Sequence, residues 1–507
     1  MALADYFARS SLAASQILAG FDEQRIRMRL SKVRVGIAIG TDAAECSEGI
    51  ALLDLLIRLL ARLYPTLVLR GSGIARVTAD NAMAIARRIN PKIEFATKPT
   101  VEIAIGTALP SAGDWPRIYV GSSHWDAFVG TVEPYRIGKS NNPFGSGAAA
   151  CLGAANLFRL VFQPREASLD KNSTFSALEG EPRKSRHVEL GGGIGEVVLV
   201  GAGAIGNGAA WALSRVPMEG MLHLIDHQVI DLGNLQRYVL AERDDETIGK
   251  VEVLARYYQG KIQAKPHASK FQDFVASEGY SWRRMILALD SSRDRRSAQA
   301  SLPFWIANGW TQPGDLGIST HDFLRGACVS CMYLADHALE NEDAIIAGAL
   351  RVPNQLMEVR KLLHNGEGVP RPLLDSIARA YEIPIERLLP FEGRPVRTLY
   401  TEGICGGAII PLGAVGTTRQ EVHVPLAHQS SLAGVLLAAS CIRDALQVAR
   451  QGTQVTRINV MQRLGTYLTQ PAAKDTRGIC ICQDADYRDA YERKYADGAY
   501  EKSRGPS

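Results

Sequence analysis

The chain has 507 residues, room for about three domains at ~150 residues each. Its 46% apolar and 22% charged residues exclude wholesale disorder. A balance of 57 basic against 53 acidic residues, net +4, argues against a basic face built to coat nucleic acid. Eight cysteines are too sparse for a secreted disulfide scaffold. The first 20 residues lack an unbroken apolar core of the signal-peptide kind. The apolar run 432–439 is far shorter than the ~20 residues that span a bilayer. The expectation is therefore a cytoplasmic protein with reduced thiols and no membrane span.

Residues 33–39 read as a strand that meets Gly40, followed by an apolar helix over 50–63. Further strand-like runs follow at 67–69, 101–105 and 118–120, and a helix at 148–162 closes this unit. Strands alternating with helices imply a parallel sheet with crossover connections. From 164 to about 186 the sequence turns polar and aperiodic and reads as a linker. A second α/β unit begins at Glu196: strand 197–200, turn 201–206, helix 207–215, strand 221–225, and a strand at 286–289 ending on Asp290. Residues 333–401 show helical patterns and several prolines, as an insertion would. Strand character returns at 408–412 and 421–424, then a helix at 430–448, and the polar end reads as a loose tail.

Gly201-Ala-Gly203-Ala-Ile-Gly206 fits G-x-G-x-x-G between a strand and a helix, where backbone N–H groups and the helix dipole favour phosphate. Asp226, 20 residues on, suits a ribose. Taken alone this says only nucleotide, with NAD as the habitual guess. Asn234-Leu-Gln236-Arg237 and Lys250 then add charge that suits a triphosphate better than a pyrophosphate. Asp290 can offer an oxygen to Mg²⁺.

These residues resemble the E1/ThiF/MoeB adenylyltransferases, which activate the C-terminal glycine of a ubiquitin-like protein. The run 289–296 (LDSSRDRR) is similar to the family's Asp-plus-Arg segment, with Arg295 in its arginine position. The resemblance implies that Gly201, Gly203 and Gly206 approach ATP, Asp226 the ribose, and Asn234, Gln236, Arg237 and Lys250 the phosphates. Asp290 becomes the Mg²⁺ carboxylate. Where the family often carries an arginine from its first unit, this chain has Ser15, with Arg9 as the substitute guess.

Cys328-x-x-Cys331 and Cys480-x-Cys482 can make a four-thiolate structural Zn²⁺ site, the alternative being two unrelated pairs. Cys405, between glycines where the insertion rejoins the core, is the candidate thioester nucleophile; a small cysteine in a glycine turn is the alternative. Cys441 reads as core. His423 and His428 read as satisfied structural histidines.

The expected architecture is α/β: two Rossmann-like units with parallel-rich sheets, the first degenerate and the second ATP-binding, plus a mostly helical insertion. Its divisions are 1–165 (inactive adenylation-like unit), 166–190 (linker), 191–332 (active unit), 333–404 (insertion), 405–484 (second part with a zinc-binding pair) and 485–507 (tail). The resemblance is greatest to bacterial E1-like enzymes of ubiquitin-like conjugation operons of the Bil-type antiphage-defence kind. It implies C-terminal adenylation, a thioester on Cys405 and transfer to an E2-like protein. A sulfur-transfer adenylyltransferase, an NAD-dependent oxidoreductase and a non-catalytic scaffold remain as rivals. The family pairs Rossmann units face to face; the two halves of one chain can do so, and a homodimer can form in addition.

Overall fold

The computed structural model describes residues 3–18, 22–163, 168–312, 315–334, 342–400, 403, 424–448, 453–465 and 467–496. The chain forms two compact units, one from 1–334 with 425–507 and one from 335–424.

The larger unit holds two sheets. The first contains β1 (Val35–Ile39), β2 (Thr66–Arg70), β3 (Glu94–Phe95), β4 (Val101–Ile105), β5 (Arg117–Ser123), β6 (Asp126–Gly130) and β7 (Asn172–Ser176). Their order is β3-β2-β1-β4-β5-β6-β7. The second contains β8 (Gly193–Val200), β9 (Glu219–Ile225), β10 (Ile262–His267), β11 (Arg284–Leu287), β12 (Trp305–Gln312), β13 (Asp315–Asp322), β14 (Gln454–Ile458) and β15 (Tyr467–Pro471). Their order is β10-β9-β8-β11-β12-β13-β14-β15.

In both sheets five parallel strands run in the same 3-2-1-4-5 order and an antiparallel extension follows. This is the doubly wound topology, duplicated, and it confirms the expected α/β class. β1 is buried along its whole length, as a strand covered on both faces must be. β4 is buried too, and its one carboxylate, Glu102, is balanced by Arg70 at 2.7 Å and Arg117 at 2.5 Å.

Seven helices position the site: α1 (Phe7–Ile17), α2 (Ser47–Leu60), α3 (Pro143–Phe162), α4 (Ala204–Leu213), α5 (Ser292–Ala300), α6 (Ala427–Ala445) and α7 (Ala485–Ala496). α3 has the length and composition to cross a membrane, but 94% of its most apolar window is buried inside this fold. Small residues bring the helices close. A Cβ on Gly208 would stand 2.7 Å from the Ser431 carbonyl oxygen, and one on Gly434 would stand 2.3 Å from that of Ile205.

The two Rossmann halves are joined by buried polar contacts. Asp54 on α2 accepts from Trp211 Nε1 and Arg215 Nη2, both at 2.7 Å. Arg58 donates to the Val239 carbonyl at 3.2 Å, and Arg62 to those of Tyr238 and Ala241.

Several expectations need correcting. The 166–190 stretch contains β7, an edge strand whose outward face is polar and so hides the alternation. The first residues of the 485–507 tail form α7, held by Tyr491 against Phe304 and Phe323. β11 ends at Leu287, three residues before Asp290. β12 to β15 and the Ile74–Ile89 helix are additional to the elements expected from the sequence. The expected strand at 408–412 lies outside the described residues, as does 421–423.

The 335–424 unit is helical, with Glu342–Ala349, Leu356–Asn365 and Arg371–Tyr381 around a core that includes Ile346, Leu350, Val359, Leu373 and Ile377.

Candidate functional site: a glycine loop at the second switch point

In the second sheet β8 lies between β9 and β11, so the carboxyl ends of β8 and β11 form the topological switch point, where such folds bind ligands. Gly201 leaves β8 with φ +98°, and a Cβ there would stand 2.4 Å from the Ala288 carbonyl oxygen. A Cβ on Gly206 would stand 2.1 Å from the Gly201 carbonyl oxygen. These two glycines let the turn close. Gly203 is different: the nearest atom to a Cβ there is Tyr238 Oη at 3.6 Å, so its outer side faces open space at the start of α4.

Charged groups surround this opening. Asp226, at the end of β9, accepts from the backbone N–H groups of Ala202 and Gln228, both at 2.9 Å, which fixes its carboxylate beside the loop. Lys250 is buried, donates to Gln228 Oε1 at 2.6 Å and lies 5.3 Å from the Tyr238 ring centre. Burial alone would lower its pKa, but Tyr238, Asp226 and Asp290 outweigh burial and hold the ammonium above its ordinary value. Arg237 sits over the same ring, 5.5 Å from its centre. Asn234 Oδ1 accepts from Asp231 N–H at 3.2 Å and stiffens the loop. Asp290 is exposed just past β11. Arg295 is not a free cation: it is buried, donates to the carbonyls of Leu289 and Gly309, and stacks on Tyr333. It fixes the chain immediately before Asp290.

Two residues were missed or undervalued. Tyr238 carries both cations and touches the loop, and its only sequence signal was adjacency to Arg237. Arg9 on α1 reaches the second unit, its Nε 3.3 Å from where a Cβ on Gly233 would stand. Burial and the nearby Arg237 lower its pKa, and Asp231 opposes them. Ala4 and Tyr6 dock α1 there by packing against Ile230, Leu235 and Tyr238. Ser15 Oγ donates to the Leu12 carbonyl within its own helix. Gln236, expected at the phosphates, is instead buried and donates to the Pro425 carbonyl at 3.1 Å.

The equivalent switch point of the first sheet is filled. Asp42 accepts from Thr107 N–H at 2.9 Å and Ala108 N–H at 3.1 Å, past the end of β4. A Cβ on Gly40 or Gly106 would meet its carboxylate at 2.3 or 2.5 Å. Burial raises the Asp42 pKa, but these N–H groups outweigh it and hold the carboxyl below its ordinary range.

The sulfurs of Cys328, Cys331, Cys480 and Cys482 lie within 4.8 Å of one another. The Cys328–Cys480, Cys331–Cys482 and Cys328–Cys331 separations are 3.4, 3.5 and 4.0 Å. A tetrahedron with Zn–S bonds of ~2.3 Å has sulfur–sulfur edges of about 3.8 Å, so the donor set fits zinc. Cys331 is pulled below the ordinary thiol range by its hydrogen bond with Cys328. Cys328, Cys480 and Cys482 share a core with Phe323 and Tyr491, and Cys331 packs against it, which links the cluster to α7. Cys441 is buried, which pushes its thiol up to about 12. Cys405 and His423 lie outside the described residues.

A duplicated doubly wound sheet, with one open glycine loop beside clustered cations, defines an α/β protein of the Rossmann type. Residues 195–280 match the ThiF family model, and residues 38–163 match the model described as Prokaryotic E2 family C. The Sinorhizobium fredii protein y4jF is 39% identical over 510 residues, covering 98% of each chain. The Drosophila melanogaster Nedd8-activating enzyme E1 catalytic subunit is 28% identical over 274 residues, covering 48% of this chain and 59% of that protein. Among solved structures, E. coli MccB with MccA-N7isoASN is similar at TM-score 0.35 and 15% identity, covering 56% of this chain and 66% of that one. The ThiF match places residues 195–280 in the E1-like ThiF/MoeB family.

Proposed function

We propose that the protein activates a ubiquitin-like protein in two steps. The terminal glycine carboxylate of the partner attacks the α-phosphorus of ATP, giving an acyl-adenylate and pyrophosphate. Cys405 thiolate then attacks the acyl carbon, displaces AMP and leaves a thioester, which passes to an E2-like protein. The observation that carries the first step is the convergence of Lys250 and Arg237 on Tyr238 beside one open glycine loop, with Arg9 close to Arg237. Three cations suit a triphosphate and its departing pyrophosphate better than the two charges of a dinucleotide. This arrangement favours adenylation over the NAD-dependent oxidoreductase.

ATP is the substrate. Gly201, Gly203 and Gly206 bring backbone N–H groups to it, Asp226 takes the ribose, and Lys250, Arg237 and Arg9 orient and neutralise the phosphates. The exposed carboxylate of Asp290 is suited to hold Mg²⁺, which would neutralise phosphate charge. The four cysteines hold Zn²⁺ as a closed structural site, joining the chain near 330 to that near 480. Cytoplasmic location and a role in bacterial antiphage defence follow from the sequence resemblance.

The E2-type family match favours a second reading for the first unit, an E2-like thioester carrier in the same chain. Its two cysteines speak against it: burial raises the thiol of Cys151, and burial is also the largest influence raising that of Cys46. A thiolate nucleophile needs the opposite shift. We read residues 1–165 as a Rossmann partner whose nucleotide place is closed by Asp42, and whose α1 lends Arg9 to the active half.

The test is ATP–pyrophosphate exchange dependent on a partner ending in glycine, followed by a dithiothreitol-sensitive gel shift. Exchange with loss of the shift in Cys405→Ala supports both steps. A shift that survives Cys405→Ala and disappears in Cys46→Ala would favour the carrier reading.

A further inference from the structure

Behind the loop that carries Asn234 and Arg237 lies a cavity of about 20 Å³ within the larger unit. Five polar side chains line it: Ser10, whose Oγ already donates to the Arg62 carbonyl at 3.3 Å, and four more that are each over nine-tenths buried, Arg62, Tyr64, Gln236 and His428. Each of these four has one atom with no hydrogen-bond partner among the described residues: Arg62 Nε, Tyr64 Oη, Gln236 Oε1 and His428 Nε2. The other ends of two of these groups are fixed. Gln236 Nε2 donates to Pro425, so its amide must turn an acceptor toward the cavity. The two Arg62 Nη atoms donate to the carbonyls of Arg58, Tyr238 and Ala241, so Nε is its one nitrogen with no partner among the described residues.

The chemistry of this set selects its occupant. Arg62 Nε–H and Tyr64 O–H donate, while Gln236 Oε1 accepts. His428 is neutral, because burial pushes its pKa down to about 3 and Arg159 adds to that, and with its proton on Nδ1 it offers Nε2 as an acceptor. An anion would face the Gln236 oxygen unfavourably, and a cation would face the Arg62 guanidinium. A water molecule has two lone pairs for the two donors and two hydrogens for the two acceptors. About 10–15 Å³ of such space holds one water, so the volume sets the number at one.

We propose that this cavity is a built hydration site, in which one ordered water bridges Arg62, Tyr64, Gln236 and His428. Gln236 is thereby a positioning residue: held by the water on one side and by Pro425 on the other, it sets the backbone that presents Asn234 and Arg237. The hydration site rests on the cavity alone. Its effect on ATP rests on the adenylation reading.

Two measurements separate the claims. A crystal structure at about 1.8 Å, with a second crystal soaked in bromide, should show one water at ordinary hydrogen-bond distance from these four atoms and no anomalous peak there. A dry or collapsed cavity, or a bromide peak, overturns the site. ATP affinity measured by calorimetry supplies the second arm. Tyr64→Phe keeps the shape and removes one donor, and should weaken ATP binding about fivefold, the effect of one hydrogen bond. His428→Gln, which keeps an acceptor, should bind ATP within about twofold of wild type, while His428→Leu behaves like Tyr64→Phe. Unchanged affinity in Tyr64→Phe and His428→Leu, with the water present in wild type, overturns the positioning role. Wild type that fails to bind ATP would remove the adenylation reading, and the crystal would still decide the site.

Discussion

The two switch points are built on the same plan and end in opposite states. In the first, Gly40-Thr-Asp42 follows β1; in the second, Gly201-Ala-Gly203 follows β8. The residue two places after the first glycine decides the outcome. Asp42 turns its carboxylate onto Thr107 N–H and Ala108 N–H, so the donors that could meet a phosphate are already taken. Gly203 leaves that space open, and the second unit supplies its carboxylate from the side, on Asp226, which braces Ala202. On the proposed reading, the duplicated fold retires one nucleotide site by an internal anion and keeps the other, to which the first half contributes helix α1 and Arg9.

The largest break in this comparison should come from the cations that only the second site has. Lys250→Ala is expected to lower pyrophosphate exchange at least about a hundredfold, the scale of removing one preorganised charge donor. Retained exchange would mean that charge convergence does not define the site.

Next is the cysteine cluster, found among the described residues only in the second half. One zinc per chain by atomic emission is expected. Chelation or Cys480→Ser should lower stability by about 2–4 kcal/mol, as for a cross-link closing a long loop. α7, which shares the Tyr491 core with the cluster, should become sensitive to protease. Zinc-free protein with full stability would argue against the staple.

Arg9→Ala should cost exchange about tenfold, less than Lys250 because Arg237 remains nearby. An effect confined to stability would make Arg9 a docking residue rather than a phosphate contact.

The smallest effect lies in the closed site. The Asp42 carboxyl has a folded pKa below its unfolded value, so its contribution is present above about pH 4 and is lost as pH falls through the folded pKa. Asp42→Ala should lower stability at pH 7 by about 1 kcal/mol, discounted for partial exposure, and shrink the difference from wild type at acid pH. The same variant should gain no ATP binding, because removing a carboxylate supplies none of the cations that surround the second loop.

Much of this is legible in the sequence alone. The strand-to-glycine steps at Gly40 and Gly201, Asp226 and Lys250 are local signals, carried by apolar runs and by charges a few residues away. The four cysteines declared themselves by spacing, although their meeting across about 150 residues is a tertiary fact. Arg9 could not be placed, because its approach depends on Ala4 and Tyr6 docking on Tyr238. Gln236 shares a motif with phosphate ligands, and only packing reveals that it turns inward to Pro425. Arg295 occupies the position of the family's arginine, and only packing reveals that two carbonyls and Tyr333 hold it inside. β13 and β14 escaped because they pair across an insertion, and α7 because its charged sequence hides a single buried tyrosine.

The central claim is that the chain has one nucleotide site and that Gly203 keeps it open. The direct measurement is ATP-binding stoichiometry by calorimetry on wild type and on Gly203→Asp, which writes the first unit's residue into the second. Gly203 has φ −73° and no atom closer than 3.6 Å to a Cβ, so the variant should fold normally. The account predicts one ATP per wild-type chain and none in Gly203→Asp at unchanged melting temperature. Two ATP molecules per chain, or undiminished binding by a folded Gly203→Asp, would contradict it.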